Sequence, residues 1–194
     1  TLRVYTLSLP AAFPILLVGL VTLIAAPVGV LVGIYLSEYS STANKRFSYI
    51  LRLFNDVMTG IPSVVIGIVG YITIVLTLGS FSIIAGAFVL SIIMIPIVAR
   101  VSEETLKLIP NSLREAGYAL GISKWKVVWH IVVKGSKSGI ITGIVFGISR
   151  IAGETAPLIM TILWTSLFFG GFHSPVYALP LSICRLASQR YDAT

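Results

Sequence analysis

From Val57 to Ala99 the chain carries no charged residue, and from Val4 to Ser37 it carries none either. Backbone N–H and C=O groups find no water in hydrocarbon, so an apolar stretch of this kind must bond internally as a helix. A helical span needs about 20 predominantly apolar residues. The stretch starting at Val57 is therefore too long for one span and must hold two. The reading is four helices, over 12–36, 57–78, 81–99 and 138–159, with 160–184 as a further span or an external loop. Pro10, Pro14 and Pro27 are expected to bend or break the first helix. Gly79-Ser80 supplies a tight turn between the second and third. The expected fold class is all-α: a polytopic transmembrane helical bundle, with 1–194 as a single membrane domain.

Composition excludes the main alternatives. Charged residues make up 11% of the 194 positions, against about 25% in soluble domains. One cysteine, Cys184, gives no disulfide within the chain, and His130 and His173 lack the neighbours of a zinc site. No nucleophile–base set stands ready for a membrane hydrolase. The net charge of +7 is a topology signal before it is a partner signal. Ten of the 14 basic residues fall in 38–56 and 100–137, and the positive-inside bias places both segments in the cytoplasm. The expected surroundings are a lipid bilayer, and no nucleic acid is implied. The chain begins at Thr1 and reads as part of a longer one.

Segment 100–137 is the one extended hydrophilic region. Ser112 and Glu115 have the spacing of a capping box, a short helix is expected over 113–120, and Gly121 should end it with positive φ. Ser123 then caps a second, apolar helix over 124–133, whose Trp125 and Trp129 suit a membrane interface. Glu115-Ala116-Gly117, then Gly121 after three residues and Ile131 after nine more, resembles the cytoplasmic loop of bacterial and archaeal ABC importer permeases. Their pattern is E-A-A, three residues, Gly, nine residues, I-x-L-P. The resemblance implies a coupling helix that docks into an ATPase subunit through Glu115, Ala116, Gly117, Ala119, Leu120 and Gly121. Lys134 stands where the pattern has proline, so the helix is expected to run on or to turn at Gly135.

Arg150 and Glu154 lie inside the last expected span. At about 1.5 Å per residue they sit about 18 and 24 Å from its Ser138 end, deep in a hydrocarbon core about 30 Å thick. Gly139, Gly143, Gly147, Arg150 and Glu154 share one arc of about 80° on a helix. The glycines allow close approach of a neighbour, so this is a packing face, as is the Gly29/Gly33 pair. The charges read either as an i, i+4 ion pair or as an anion pathway, since guanidinium matches oxyanion geometry. Pro157 should open the helix beside Glu154.

Ser149-Arg150-Ile151-Ala152-Gly153-Glu154-Thr155-Ala156-Pro157-Leu158 resembles the S-R-x-x-G-E-T-A-P-L segment of phosphate importer permeases of the PstA type. Gly60-Ile61-Pro62-Ser63-Val64-Val65-Ile66-Gly67 and Gly33-Ile34-Tyr35-Leu36-Ser37-Glu38-Tyr39 resemble two other segments of that family. The resemblance implies a type I (MetI-like) importer permease core that moves inorganic phosphate across the cytoplasmic membrane of a bacterium or archaeon. Its pathway would use Arg150, Glu154 and Thr155. Arg100, at the end of the third helix, reads first as an interface anchor and in the alternative as a second anion contact. The implied partners are a second, PstC-like permease, two PstB-like ATPase subunits and an external phosphate-binding protein. The chain has no G-x-x-x-x-G-K-[ST] loop. It is expected to be no enzyme and to hold no cofactor, with ATP and Mg bound by the ATPase partner. The alternatives are a sulfate or molybdate permease and, from another class, an autonomous anion channel.

Overall fold

The computed structural model describes residues 2–40, 45–78 and 83–161, and every regular element among them is helical. Helix α1 (Leu2–Ile34) continues into a π-helical turn, Tyr35–Tyr39. Helix α2 is Lys45–Gly60, and α3 (Ser63–Gly70) carries on through π-helical Tyr71–Val75 to Leu78. Then come α4 (Ile83–Lys107), α5 (Asn111–Ala119), α6 (Lys124–Val127, prolonged by π-helical Val128–Val133), α7 (Lys137–Ala152) and α8 (Ala156–Thr161). The turn expected at Gly79-Ser80 and nearly all of 160–184, with His173 and Cys184, lie outside the described residues.

Four boundaries differ from the sequence reading. Helix α1 runs unbroken past Pro10, Pro14 and Pro27, because each proline removes one hydrogen bond and the adjoining turns persist. The helix expected over 57–78 is instead broken at Ile61-Pro62. Proline disfavours helical geometry in the residue before it. Pro62 is itself extended, at φ −58° and ψ 133°, and its carbonyl accepts the Val65 N–H to start α3. The polar stretch expected as a loop over 38–56 is mostly α2. This helix is inside-out: Ser48 and Asn55 are buried while Phe47, Ile50, Phe54 and Val57 are exposed. Helix α4 extends past 99 to Lys107, supported by i, i+4 pairs Arg100–Glu104 and Glu103–Lys107.

The chain forms two compact units. One holds the described residues of 1–24, 61–93 and 148–194. In it α3 lies on α8, and a Cβ built at Gly67 would stand 2.7 Å from Pro157 Cα. The other comprises 25–60 and 94–147. There α4 receives glycine-bearing faces of two helices. Gly29 and Gly33 of α1 press on Val98 and Ser102, while Gly139, Gly143 and Gly147 of α7 press on Thr105, Val101 and Met94. Both expected glycine packing faces are present. Ile34, Leu106, Val128, Val132 and Ile140 form the core between the ends of these helices.

Ile15–Tyr39 and Ile83–Lys107 are each long and apolar enough to cross a membrane as single helices. The pairs α2–α3 and α6–α7 qualify only as broken spans. The α6–α7 pair bends by 71°, so the helix does not run straight on, and its turn falls at Ser136, one residue past the expected Gly135. About 67% of the apolar window of α4 is buried, against 28% for α1.

Candidate functional site

Helix α5 begins earlier than its capping-box pattern suggests. Pro110 is the N-cap, at φ −57° and ψ 142°, with no side-chain cap, and its carbonyl accepts the Leu113 N–H at 3.2 Å. Proline disfavours helical geometry in Ile109 before it and lacks the N–H to continue α4, so the helix starts at Asn111, and Ser112 and Glu115 fall inside it and stay exposed. The C-terminus follows expectation. Gly121 has φ +72°. Its N–H bonds to Tyr118 O at 2.9 Å, and the Ile122 N–H to Gly117 O at 3.2 Å. This is the paired closure of a Schellman motif. Gly117 is buried, and a Cβ there would meet Val127 at 2.9 Å and Ile131 at 3.1 Å. The third motif position therefore seats α5 on α6, while Glu115, Ala116, Ala119, Leu120 and Gly121 are exposed.

Behind that face lies a contact that sequence reasoning missed. Arg114 Nη2 donates to Glu38 Oε1 at 2.7 Å and to Leu106 O at 2.9 Å, and Nε reaches Glu38 Oε2 at 3.3 Å. Nη1 donates to Ile109 O and to Asn111 Oδ1. The Arg114 and Glu38 side chains are 13% and 5% exposed. In the sequence Arg114 counts only toward topology and Glu38 only toward the resemblance of 33–39 to the family. They are 76 positions apart, and no local pattern joins them.

The other constellation is the break after α7. Helix α7 stops at Ala152, Glu154 N–H bonds to Ile151 O, and Thr155 O accepts the Ile159 N–H to open α8. The expected opening beside Glu154 is thus present. The buried Glu154 carboxylate is ion-paired with Arg150, whose own side chain is half exposed. Arg150, Glu154 and Thr155 share this one segment. Arg100 belongs to the other unit and has carboxylate partners of its own, Asp56 at 2.9 Å and Glu104 at 2.6 Å. No group of three His, Cys, Asp or Glu side chains suited to a metal exists among the described residues.

Residues 27–172 match the family described as binding-protein-dependent transport system inner membrane component. The chain belongs to this family. This transport component is 42% identical over 175 residues to the phosphate transport system permease protein PstA of Haemophilus influenzae, covering 90% of this chain and 61% of that one. It is 42% identical to PstA of Yersinia pestis, covering 89% and 58%. To PstA 1 of Mycobacterium tuberculosis H37Rv it is 38% identical, covering 85% and 53%. The chain thus spans a little over half the length of these relatives. Among solved structures it resembles the inward-facing MetNI methionine ABC transporter, with a TM-score of 0.62 and 20% identity over 76% of this chain and 68% of that one. A further likeness is to an amino acid ABC transporter, with a TM-score of 0.60 and 18% identity over 97% and 82%. The all-α permease fold read from the sequence is borne out.

Proposed function

We propose that this chain is the membrane-spanning permease subunit of an ATP-driven importer of inorganic phosphate. The observation that carries the reading is α5: a short helix, fixed at both ends, that presents Glu115, Ala116, Ala119 and Leu120 outward. An autonomous channel has no need of such an element. Phosphate as cargo is supported by the names of the relatives matched across most of the chain. In this reading 38–56 and 100–137 face the cytoplasm, and α5 docks into one of two ATPase subunits, which bind ATP and Mg. A second permease completes the membrane core, an external binding protein delivers phosphate, and Arg150, Glu154 and Thr155 line its path. The half-exposed guanidinium offers paired donors to an oxyanion, and the carboxylate beside it limits how tightly the anion is held.

The test is ATP hydrolysis by the full-length complex in lipid, with phosphate and with sulfate. Phosphate is expected to stimulate hydrolysis and sulfate to have no effect. Equal stimulation by sulfate would shift the reading to another oxyanion, and uptake by this chain without an ATPase partner would replace it with a channel. Gly121→Val should separate docking from folding. At φ +72° an L side chain costs about 1–2 kcal/mol, enough to unwind the end of α5. Phosphate-stimulated hydrolysis should fall about tenfold at unchanged membrane abundance.

A further inference from the structure

The Arg114–Glu38 contact belongs neither to the exposed face of α5 nor to the Arg150–Glu154 segment, yet it is the most elaborate polar contact of its unit. One guanidinium joins three elements. Glu38 lies in the π-helical end of α1, Leu106 O belongs to the last turn of α4, and Asn111 begins α5 itself. Leu106 O accepts the Ile109 N–H at 3.3 Å and takes Arg114 on its second lone pair, and the Ile109 carbonyl, just past the end of α4, also accepts from Arg114. A planar fork with five N–H donors can meet all of these at once, and a lysine ammonium cannot.

The same end of α1 is held from its other side. Arg52 of α2 donates to Leu36 O at 3.0 Å and pairs with the buried Glu103 of α4 at 2.9 Å. Glu103 also pairs with Lys107 at 2.6 Å. Two buried carboxylates and two guanidinium groups thus tie the ends of α1, α4 and α5 and the middle of α2 into one polar network. A π-helical turn in such a place re-aims side chains, and such turns recur at functional positions. The network is not sealed: Glu38, Lys107 and Arg114 line a cavity of about 520 Å³, so water reaches the pair.

We infer that Arg114 is a positioning residue that locks α5 to the ends of α1 and α4, so that a push on α5 moves these helices as one body. This rests on the reading of α5 as the ATPase-docking helix. Losing the lock leaves docking intact and lets α5 move without the spans. ATP is then hydrolysed without proportionate transport.

The experiment measures phosphate moved per ATP hydrolysed by the reconstituted full-length complex. Glu38→Gln keeps size and an acceptor oxygen, and Arg114→Lys keeps charge. Each is expected to keep basal ATP hydrolysis and to lose about tenfold in phosphate per ATP. Combining them should add little, because both act on one contact. Should either variant assemble poorly, Glu38→Met with Arg114→Met removes both charges together and avoids an orphaned one, and it must show the same loss. An unchanged ratio in assembled variants would overturn the lock. So would a drop in assembly and transport at constant ratio, which marks a merely structural pair. A wild-type complex lacking phosphate-stimulated hydrolysis would instead overturn the importer reading, and the lock with it.

Discussion

Gly33→Leu is expected to remove most of the folded protein from the membrane, and Gly33→Ala to lower its thermal midpoint in detergent by several degrees. A Cβ at Gly33 would stand 2.6 Å from Ser102 Cβ, 2.8 Å from Ala99 O and 3.1 Å from Glu103 N. Two of those atoms are backbone of α4, so no rotamer change relieves the clash and the helices must separate. Overpacking of a close contact costs about 1–3 kcal/mol against a total stability of about 5–15 kcal/mol, and a leucine adds more atoms than the gap can yield. Exchange of glycine for alanine in a helix interior otherwise gains about 1 kcal/mol, so even a neutral result at Gly33 would reveal the steric term. Gly19 is the control. It lies on the same helix, and a Cβ there meets nothing within 4 Å. Gly19→Ala and Gly19→Leu should hold or raise the midpoint, read by heating purified protein and following its loss from the monodisperse fraction. Equal melting of Gly33→Leu and Gly19→Leu would contradict the packing of α1 on α4.

What the sequence disclosed follows from how local each signal is. The Gly139, Gly143, Gly147 series has a four-residue period, and any helix carrying it brings those positions to one face. Its packing on α4 was therefore legible before any partner was known. Gly121 was legible for a similar reason, since helix closure is decided within six residues. Proline was legible in kind and not in consequence. Pro10, Pro14, Pro27 and Pro96 are all accommodated in continuous helices, while Pro62 divides one. The lost N–H is the same in each case. What differs is whether surrounding structure prefers a straight helix or, as with Gly67 against Pro157, a new packing direction. The polar stretch now in α2 was misread because its polar side chains find distant partners. Arg52 reaches Glu103, and the buried Asn55 amide donates to Pro96 O at 3.3 Å. Arg114 and Glu38 were invisible as a pair for the same reason. A single sequence shows both charges and gives no measure of their separation in space.

Arg150→Gln is expected to reduce phosphate uptake about a hundredfold at matched membrane abundance, the loss of a charge-assisted contact of roughly 2.7 kcal/mol. The abundance control is essential, because Glu154 is buried and Arg150 is its ion-pair partner. Removing one member of a fully buried pair costs about 3–5 kcal/mol, and with Arg150 half exposed the cost of stranding Glu154 falls below that range. Glu154→Gln should have a different signature. It frees the guanidinium from its carboxylate, so phosphate is held more tightly and released more slowly, and both KM and maximal uptake fall. The two roles of the pair then separate in Arg150→Gln with Glu154→Gln. The double variant orphans no charge, so abundance should recover to near wild type under either role. If Arg150 contacts the anion, uptake stays low despite that recovery, because the glutamine that replaces it carries no charge. An abundant double variant transporting phosphate at the wild-type rate would assign Arg150 and Glu154 to holding the end of α7 and the start of α8, and to nothing more.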